Sequence, residues 1–279
     1  MNRITSIVFS KDRPLQLDLT LKSIEKNFEI CDNIIVIYKA SNEEYEKAYN
    51  VLAHEHKYTV FLQEDDDFLD LILKSLYSIK NDDYVCFFTD DNIMYRESKT
   101  TQLDIGKLFS LGVGCISLRL GLNITHRDGV ETPQPQFQRA AGSHLIWNRM
   151  SVLAGGYFNY PLSVDGHIFE TNFISSIMAE LCDWLKIKNP NELEQKMQRY
   201  FFEIPALSAC ELQSCVVNTP NNRVQNVIKN NHGMEFPYHQ DFLLDIFNKG
   251  HRLNLDDINF DVKCPHTELD ILAGKKYDL

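Results

Sequence analysis

The chain of 279 residues has no excess of positive charge: 28 Lys and Arg stand against 39 Asp and Glu, a net −11 at pH 7. That excludes a general nucleic-acid binder, because no broad basic field exists to attract phosphate backbones. An acidic protein that takes an anionic ligand needs local help, from a metal ion or from a few placed Lys and Arg. Paired cysteines of the C-x-x-C kind are absent as well. The seven cysteines (31, 86, 115, 182, 210, 215 and 264) are scattered, and Cys210 and Cys215, five apart, have no matching pair of histidines, which speaks against zinc. Such a set fits buried, reduced thiols and a cytoplasmic setting. The sequence contains no 18-residue apolar span. Near the N-terminus, Arg3, Lys11 and Arg13 surround a short strand rather than an apolar signal core, so neither export nor a membrane anchor is expected. Without internal repeats or low-complexity linkers, one continuous unit is expected.

What is present is a strand–helix alternation. Ile4 to Phe9 reads as a buried strand, followed by Ser10-Lys11-Asp12-Arg13-Pro14. Pro14 suits the first turn of a helix and Asp12 its cap. Leu17, Leu21, Ile24 and Phe28 then recur at helical spacing as one apolar face. Asn33 to Tyr38 is a second strand, Asn42 caps a helix opening with Glu43 and Glu44, and Tyr58 to Leu62 is a third strand. A helix from Asp67 to Ile79 follows. The run Glu64-Asp65-Asp66-Asp67 at its start reads as capping and dipole complement rather than as a metal site. Units of roughly 25–30 residues imply right-handed crossovers and a parallel sheet.

Val85 to Phe88, a nearly unbroken apolar run, is the fourth strand and leads straight into Asp90, Asp91 and Asn92. A buried strand ending in acidic residues holds oxygen ligands at the carboxyl edge of a sheet, where open α/β folds bind their ligands. Two adjacent carboxylates repel unless something cationic sits near them, and Mg²⁺ or Mn²⁺ is the natural candidate. A solvated turn after a strand is the alternative. Further on, Ile105 to Leu111 suggests a helix, Gly114 to Gly121 a strand carrying Arg119, Thr125 to Arg139 a long loop, and His144 to Trp147 another strand. Asp165 follows a proline-punctuated loop and is expected to precede a helix running to about Leu185, which it caps or serves chemically. Arg119 either pairs with a carboxylate or reaches a diphosphate.

Ile7-Val8-Phe9-Ser10-Lys11-Asp12-Arg13-Pro14, the second strand and Phe88-Thr89-Asp90-Asp91-Asn92 together resemble the GT-A fold of nucleotide-sugar glycosyltransferases, family-2-like, over about residues 4–170. That family's acidic motif is usually Asp-x-Asp. Here Asp90 and Asp91 align as the last two residues of a longer acidic motif. The resemblance implies a Rossmann-like α/β fold, a mostly parallel central sheet flanked by helices, with a largely helical C-terminal region. It divides the chain into a core at 1–170 and a helical extension at 171–279 packed on it. It implies that Phe9, Ser10, Lys11, Arg13 and Asp90 contact a nucleotide-diphosphate sugar, UDP-sugar favoured over GDP-sugar, with Arg119 the further candidate if it reaches the diphosphate. Asp91, with His167 as an additional contact, would hold Mn²⁺ or Mg²⁺, and Asp165 would be the general base. A divalent ion would stabilise charge on the departing diphosphate, and a positioned carboxylate would take the acceptor proton. The implied activity is hexosyl transfer, inverting, from the donor to a hydroxyl of a glycan or glycoconjugate acceptor in polysaccharide or glycoconjugate synthesis. Two alternatives remain at this stage. A sugar-phosphate nucleotidyltransferase would normally have a Gly-rich loop after the first strand, and Ser10 to Pro14 contains no glycine. The other is a non-catalytic carbohydrate- or nucleotide-binding protein on the same scaffold.

Overall fold

The structure is a computed structural model that describes residues 3–64, 67–81, 83–127, 129–152, 155–184, 186–224 and 233–273. Asp65 and Asp66 of the acidic run, and Leu185 at the expected helix end, lie outside the described residues. The first part alternates as the sequence predicts: β1 (Ile4–Lys11), α1 (Pro14–Asn27), β2 (Cys31–Lys39), α2 (Glu43–Glu55), β3 (Thr59–Gln63), α3 (Phe68–Tyr77) and β4 (Tyr84–Thr89). Then come β5 (Asn92–Met94), α4 (Gln102–Ser110), β6 (Val113–Ser117), β7 (His126–Arg127), β8 (Val130–Glu131), β9 (Gln138–Arg139) and β10 (His144–Asn148). The chain continues through β11 (His167–Glu170), α5 (Thr171–Trp184), α6 (Pro190–Met197), β12 (Leu207–Glu211), β13 (Val216–Asn218) and α7 (Gln240–Asn248).

Local chemistry explains the helix starts. Asn42 accepts from Glu44 N and Tyr45 N at the head of α2, and Asp67 accepts from Asp70 N at the head of α3. Pro14 opens α1 as expected, but Asp12 does not cap it. Asp12 sits at φ 53°, a left-handed conformation that Asp tolerates better than most residues. Its carboxylate instead accepts from Ser41 N at 2.8 Å and Ser41 Oγ at 2.6 Å, tying the β1–α1 turn to the β2–α2 turn.

Among the described residues nine strands form one sheet in the order β3-β2-β1-β4-β11-β6-β12-β10-β9. The four N-terminal strands run parallel, β11 runs against both β4 and β6, and β10 runs against β12 and β9. With β12 parallel to β6, only β11 and β10 oppose the other seven, so the sheet is mixed and mostly parallel. Alternation along β1 feeds two cores. Ile4 and Val8 face the layer of α1, α2 and α7, while Ile7 and Phe9 face α3, α5 and α6. Both faces of β4 are filled in the same way, Cys86 and Phe88 on one side and Val85 and Phe87 on the other.

Three segments differ from the sequence expectation. The stretch after Asp165 is a strand before it is a helix: His167–Glu170 fills the slot between β4 and β6, and pairing on both sides overrides its helical periodicity. Beyond residue 170 the chain supplies helices but also β12, which lies inside the sheet beside β6. The 125–139 segment is not all loop: β7 and β8 pair with each other, and β9 adds to β10 at the sheet edge.

Candidate functional site

The sheet's carboxyl edge gathers the end of β1, the end of β4 and the end of β6. Because β11 is antiparallel, it also gathers the loop that enters that strand, with Asp165 and His167. This is the edge at which open α/β sheets bind ligands. Asp90 hangs directly off β1, its N–H donating to Phe9 O at 2.9 Å. Its Oδ2 accepts from Ser10 Oγ at 2.8 Å and Lys11 N at 3.0 Å, and Ser10 Oγ is in turn 2.7 Å from Tyr49 Oη on α2. Asp91 Oδ1 accepts from Thr89 Oγ1 and from Asn218 Nδ2, both at 2.8 Å. Asn218 is within reach because β13 pairs antiparallel with β5, which sets it opposite Asn92.

The cation between the two carboxylates is Arg13. One guanidinium nitrogen, Nη1, donates to Asp90 Oδ1 at 2.9 Å and to Asp91 Oδ2 at 3.0 Å. The other side of the group is held by Asn222, with Nε to Oδ1 at 2.7 Å and Nη2 to the carbonyl at 2.5 Å. Burial would lower the arginine's pKa, but Asp90 and Asp91 outweigh it and the pKa is raised. Asp90 goes the other way. Burial pushes its carboxyl up, Arg13 pulls it down, Asp91 pushes it up again, and it settles at about 6.

Asp165 is the second centre. Its Oδ1 lies 3.0 Å from Thr89 Oγ1 and accepts from Asn92 Nδ2 at 3.2 Å, and its Oδ2 accepts from Arg119 Nη1 at 3.1 Å. Thr89 Oγ1 therefore stands within hydrogen-bond distance of both Asp91 and Asp165, with one proton for two carboxylates. Burial raises the Asp165 pKa, but Arg119, His266, Thr89 and Asn92 overcome that and hold it below the usual carboxylate range. Nearby Glu194 of α6 accepts from Ser163 Oγ and Val164 N, fixing the loop that carries Asp165. Burial, and then the charge of Asp165, pushes Glu194 up. Two buried carboxyls with pKa values driven apart are the usual raw material of acid–base sites.

The structure brings Ser10, Lys11, Arg13, Asp90, Asp91, Arg119, Asp165 and His167 to one edge, with Phe9 set apart. The Phe9 side chain points into the core, its ring 5.4 Å from Phe68 and 5.8 Å from Phe87. Arg119, two residues beyond β6 rather than on it, takes the carboxylate-pairing role. Asp165 caps no helix, since β11 follows it. His167 Nδ1 is 2.9 Å from Pro161 O, and burial together with Arg119 lowers its pKa to about 3, so the ring is neutral. Its Nε2, together with Arg119 Nε and Ser117 Oγ, is buried with no hydrogen-bond partner among the described residues. Ser117 and His167 are cross-strand partners, so these atoms are polar groups at the edge that no described residue satisfies.

Contributors that went unread in the sequence include Thr89, Tyr49, Glu194, Asn218, Asn222 and His266. The last lies 3.3 Å from Arg119 Nη1 and stacks on Tyr157. Asn218 and Asn222 sit in or beside a turn-rich polar stretch, where asparagine is expected for turn reasons alone.

The expected Mn²⁺ or Mg²⁺ can be tested against this donor set. All four oxygens of Asp90 and Asp91 already accept hydrogen bonds, two of them from Arg13. Among the described residues no group of three or more His, Cys, Asp and Glu is arranged to hold a metal, and Asp91 and His167 do not form one. The residues as placed do not fit a resident divalent ion.

Fold and site together define an open α/β protein with a buried, charge-dense ligand edge. No family model matches the chain. A sequence relative is the bifunctional glycosyltransferase pgtA of Dictyostelium discoideum, 26% identical over a 224-residue alignment that covers 69% of this chain. The matched part spans 28% of that relative's length. Solved structures of similar outline include S. aureus TarS 1-349 in complex with UDP-GlcNAc (12% identity, 80% of this chain and 60% of that one, TM-score 0.49). A cytidylyltransferase from Leptospira borgpetersenii matches at 12% identity over 90% of this chain and 95% of its own, with a TM-score of 0.41. The mannosyltransferase PcManGT from Pyrobaculum calidifontis, in complex with GDP-Man and Mn²⁺, matches at 16% identity over 41% and 34%, with a TM-score of 0.32. No helix among the described residues is long and apolar enough to cross a membrane.

Proposed function

We propose that the protein is a nucleotide-sugar glycosyltransferase that moves a sugar from a nucleoside-diphosphate donor to a hydroxyl of a glycan or glycoconjugate acceptor. The observation that carries this reading is the link between the two centres. Thr89 Oγ1 touches both Asp91, on the side of the β1 and β4 ends, and Asp165, on the β6 and β11 side. Group transfer needs a donor and an acceptor-activating carboxylate held next to each other, because positioning supplies much of the rate. The similarity to a Dictyostelium glycosyltransferase supports the same class.

In this reading Ser10, Lys11 and the acidic pair line the donor side. Asp165 accepts the proton of the acceptor hydroxyl. Its lowered pKa keeps it ionised at neutral pH, at the cost of proton affinity, so proton uptake falls late along the reaction. Arg119 and Asn92 hold it in place. A single base on the face opposite the leaving group corresponds to inverting transfer.

The test is release of nucleoside diphosphate from a panel of UDP- and GDP-sugars in the presence of candidate glycan acceptors. Asp165→Asn should keep nucleotide affinity and slow transfer by about 10²–10⁴-fold, the usual share of a positioned base. Near-normal turnover by that variant would remove Asp165 from the role, and no turnover of any donor by the native chain would overturn the class.

A further inference from the structure

We propose that Arg13 is the built-in cation of the Asp90–Asp91 pair, standing where a divalent ion would, and that a nucleoside diphosphate binds at this edge without metal. The second half rests on the glycosyltransferase reading. The first half stands on geometry alone.

A divalent ion of the Mg²⁺ or Mn²⁺ kind takes about six oxygen ligands at roughly 2.0–2.2 Å and is bound through carboxylates with free oxygens. Here each of the four oxygens is already an acceptor. Asp90 uses Ser10 Oγ, Lys11 N and Arg13; Asp91 uses Thr89, Asn218 and Arg13. A metal ion would have to displace a guanidinium whose charge is permanent and whose side chain is only 9% exposed. Arg13 has nowhere to withdraw, because Asn222 grips its far side through both side chain and backbone. Asn222 is itself fixed, its amide donating to Gln16 Oε1 at 3.2 Å and Tyr238 O at 3.0 Å. Four of the five guanidinium N–H groups are thereby assigned. A dication entering beside the retained guanidinium would meet like charge in a low-dielectric setting, which is strongly unfavourable.

The positive charge that a diphosphate needs has another source. Lys11, the last residue of β1, donates its backbone N–H to Asp90, and its ammonium has no ion pair or hydrogen bond among the described residues. A free ammonium one residue from the Ser10–Asp90 contact is a point-charge phosphate binder.

Two measurements on the native chain decide the matter. The first titrates Mn²⁺ alone and follows the free-ion electron paramagnetic resonance signal. The protein should hold no Mn²⁺ at sub-millimolar concentration, whereas Arg13→Gln should gain a site. Stoichiometric binding by the native chain would overturn the assignment, even if the variant does not fold. The second is calorimetry with UDP and GDP as probes, in EDTA and in Mn²⁺. Affinities in the two buffers should agree within about twofold, and Lys11→Met should lose about tenfold in both, near 1.4 kcal/mol. Affinity that appears only with Mn²⁺ would overturn the proposal. Binding of neither nucleotide in either buffer would overturn the second half and the glycosyltransferase reading with it, while the Mn²⁺ titration still decides the first half.

Discussion

At the scale of single residues, the site is an arrangement of buried charges that satisfy one another. Arg13 neutralises Asp90 and Asp91, and Arg119 neutralises Asp165. Paired, hydrogen-bonded charges are the tolerable form of burial, since removing one partner of such a pair costs about 3–5 kcal/mol. Between the two centres stands one hydroxyl. Thr89→Val keeps the shape of the side chain and removes the hydroxyl proton that lies within reach of both Asp91 and Asp165. The variant should fold, bind nucleotide within about threefold of the native chain, and lose turnover by about 10–100-fold, the worth of a hydrogen bond to a charged group. Separate kcat and KM values check this; a loss confined to KM would assign Thr89 to donor binding instead. The sequence disclosed Asp90, Asp91 and Asp165, because a carboxylate beside a buried strand is conspicuous. It also suggested the need for a cation between them. That the cation is an arginine 77 and 78 residues away was not legible, because ion pairing across such separations is decided by the closing of the fold.

At the scale of elements, β1 to β4 and their helices were legible because strands buried on both faces read as apolar runs and helix heads carry Asn or Asp. β11 was not, since a four-residue strand that flows into an amphipathic helix leaves no separate signal. A second clamp joins two of the legible elements. His56, just past α2, presents Nε2 to Asp18 Oδ1 at 3.1 Å and Nδ1 to Glu25 Oε1 at 3.0 Å, both on α1. Burial lowers its pKa, but the two carboxylates raise it to about 9 from 6.5. The folded state thus binds a proton more tightly than the unfolded state. The clamp's contribution is full below pH 6.5 and is lost as pH rises through about 9. Thermal unfolding followed across this range should show the native chain losing stability while His56→Gln changes less; parallel curves would remove the clamp from the account.

At the scale of the whole molecule, four of the seven scattered cysteines are buried and three are only partly so. All seven are free, and the buried four are Cys86, Cys115, Cys210 and Cys215. Burial pushes the Cys115 thiol up to about 11 and raises the other three as well. Since the thiolate is the reactive form, a thiol reagent should modify at most Cys31, Cys182 and Cys264 in the folded protein, and the remaining four only on denaturation. Prompt reaction of all seven without denaturant would contradict the packing of both cores.

The grip of Asn222 on Arg13 also bears on how the molecule is assembled. The two residues are 209 apart in sequence, and Asn218 meets Asp91 across 127. During synthesis the β1–β4 unit therefore leaves the ribosome long before its charged edge can be completed. Contacts of such long range are slow to form, because the entropy of closing the chain must be overcome first. Until then two carboxylates and an arginine stand without the hydrogen bonds of Asn218 and Asn222. A nascent chain halted before residue 218 should accordingly have a paired β1–β4 unit and no competent edge, so the chemistry waits on the segment that brings Asn218 and Asn222.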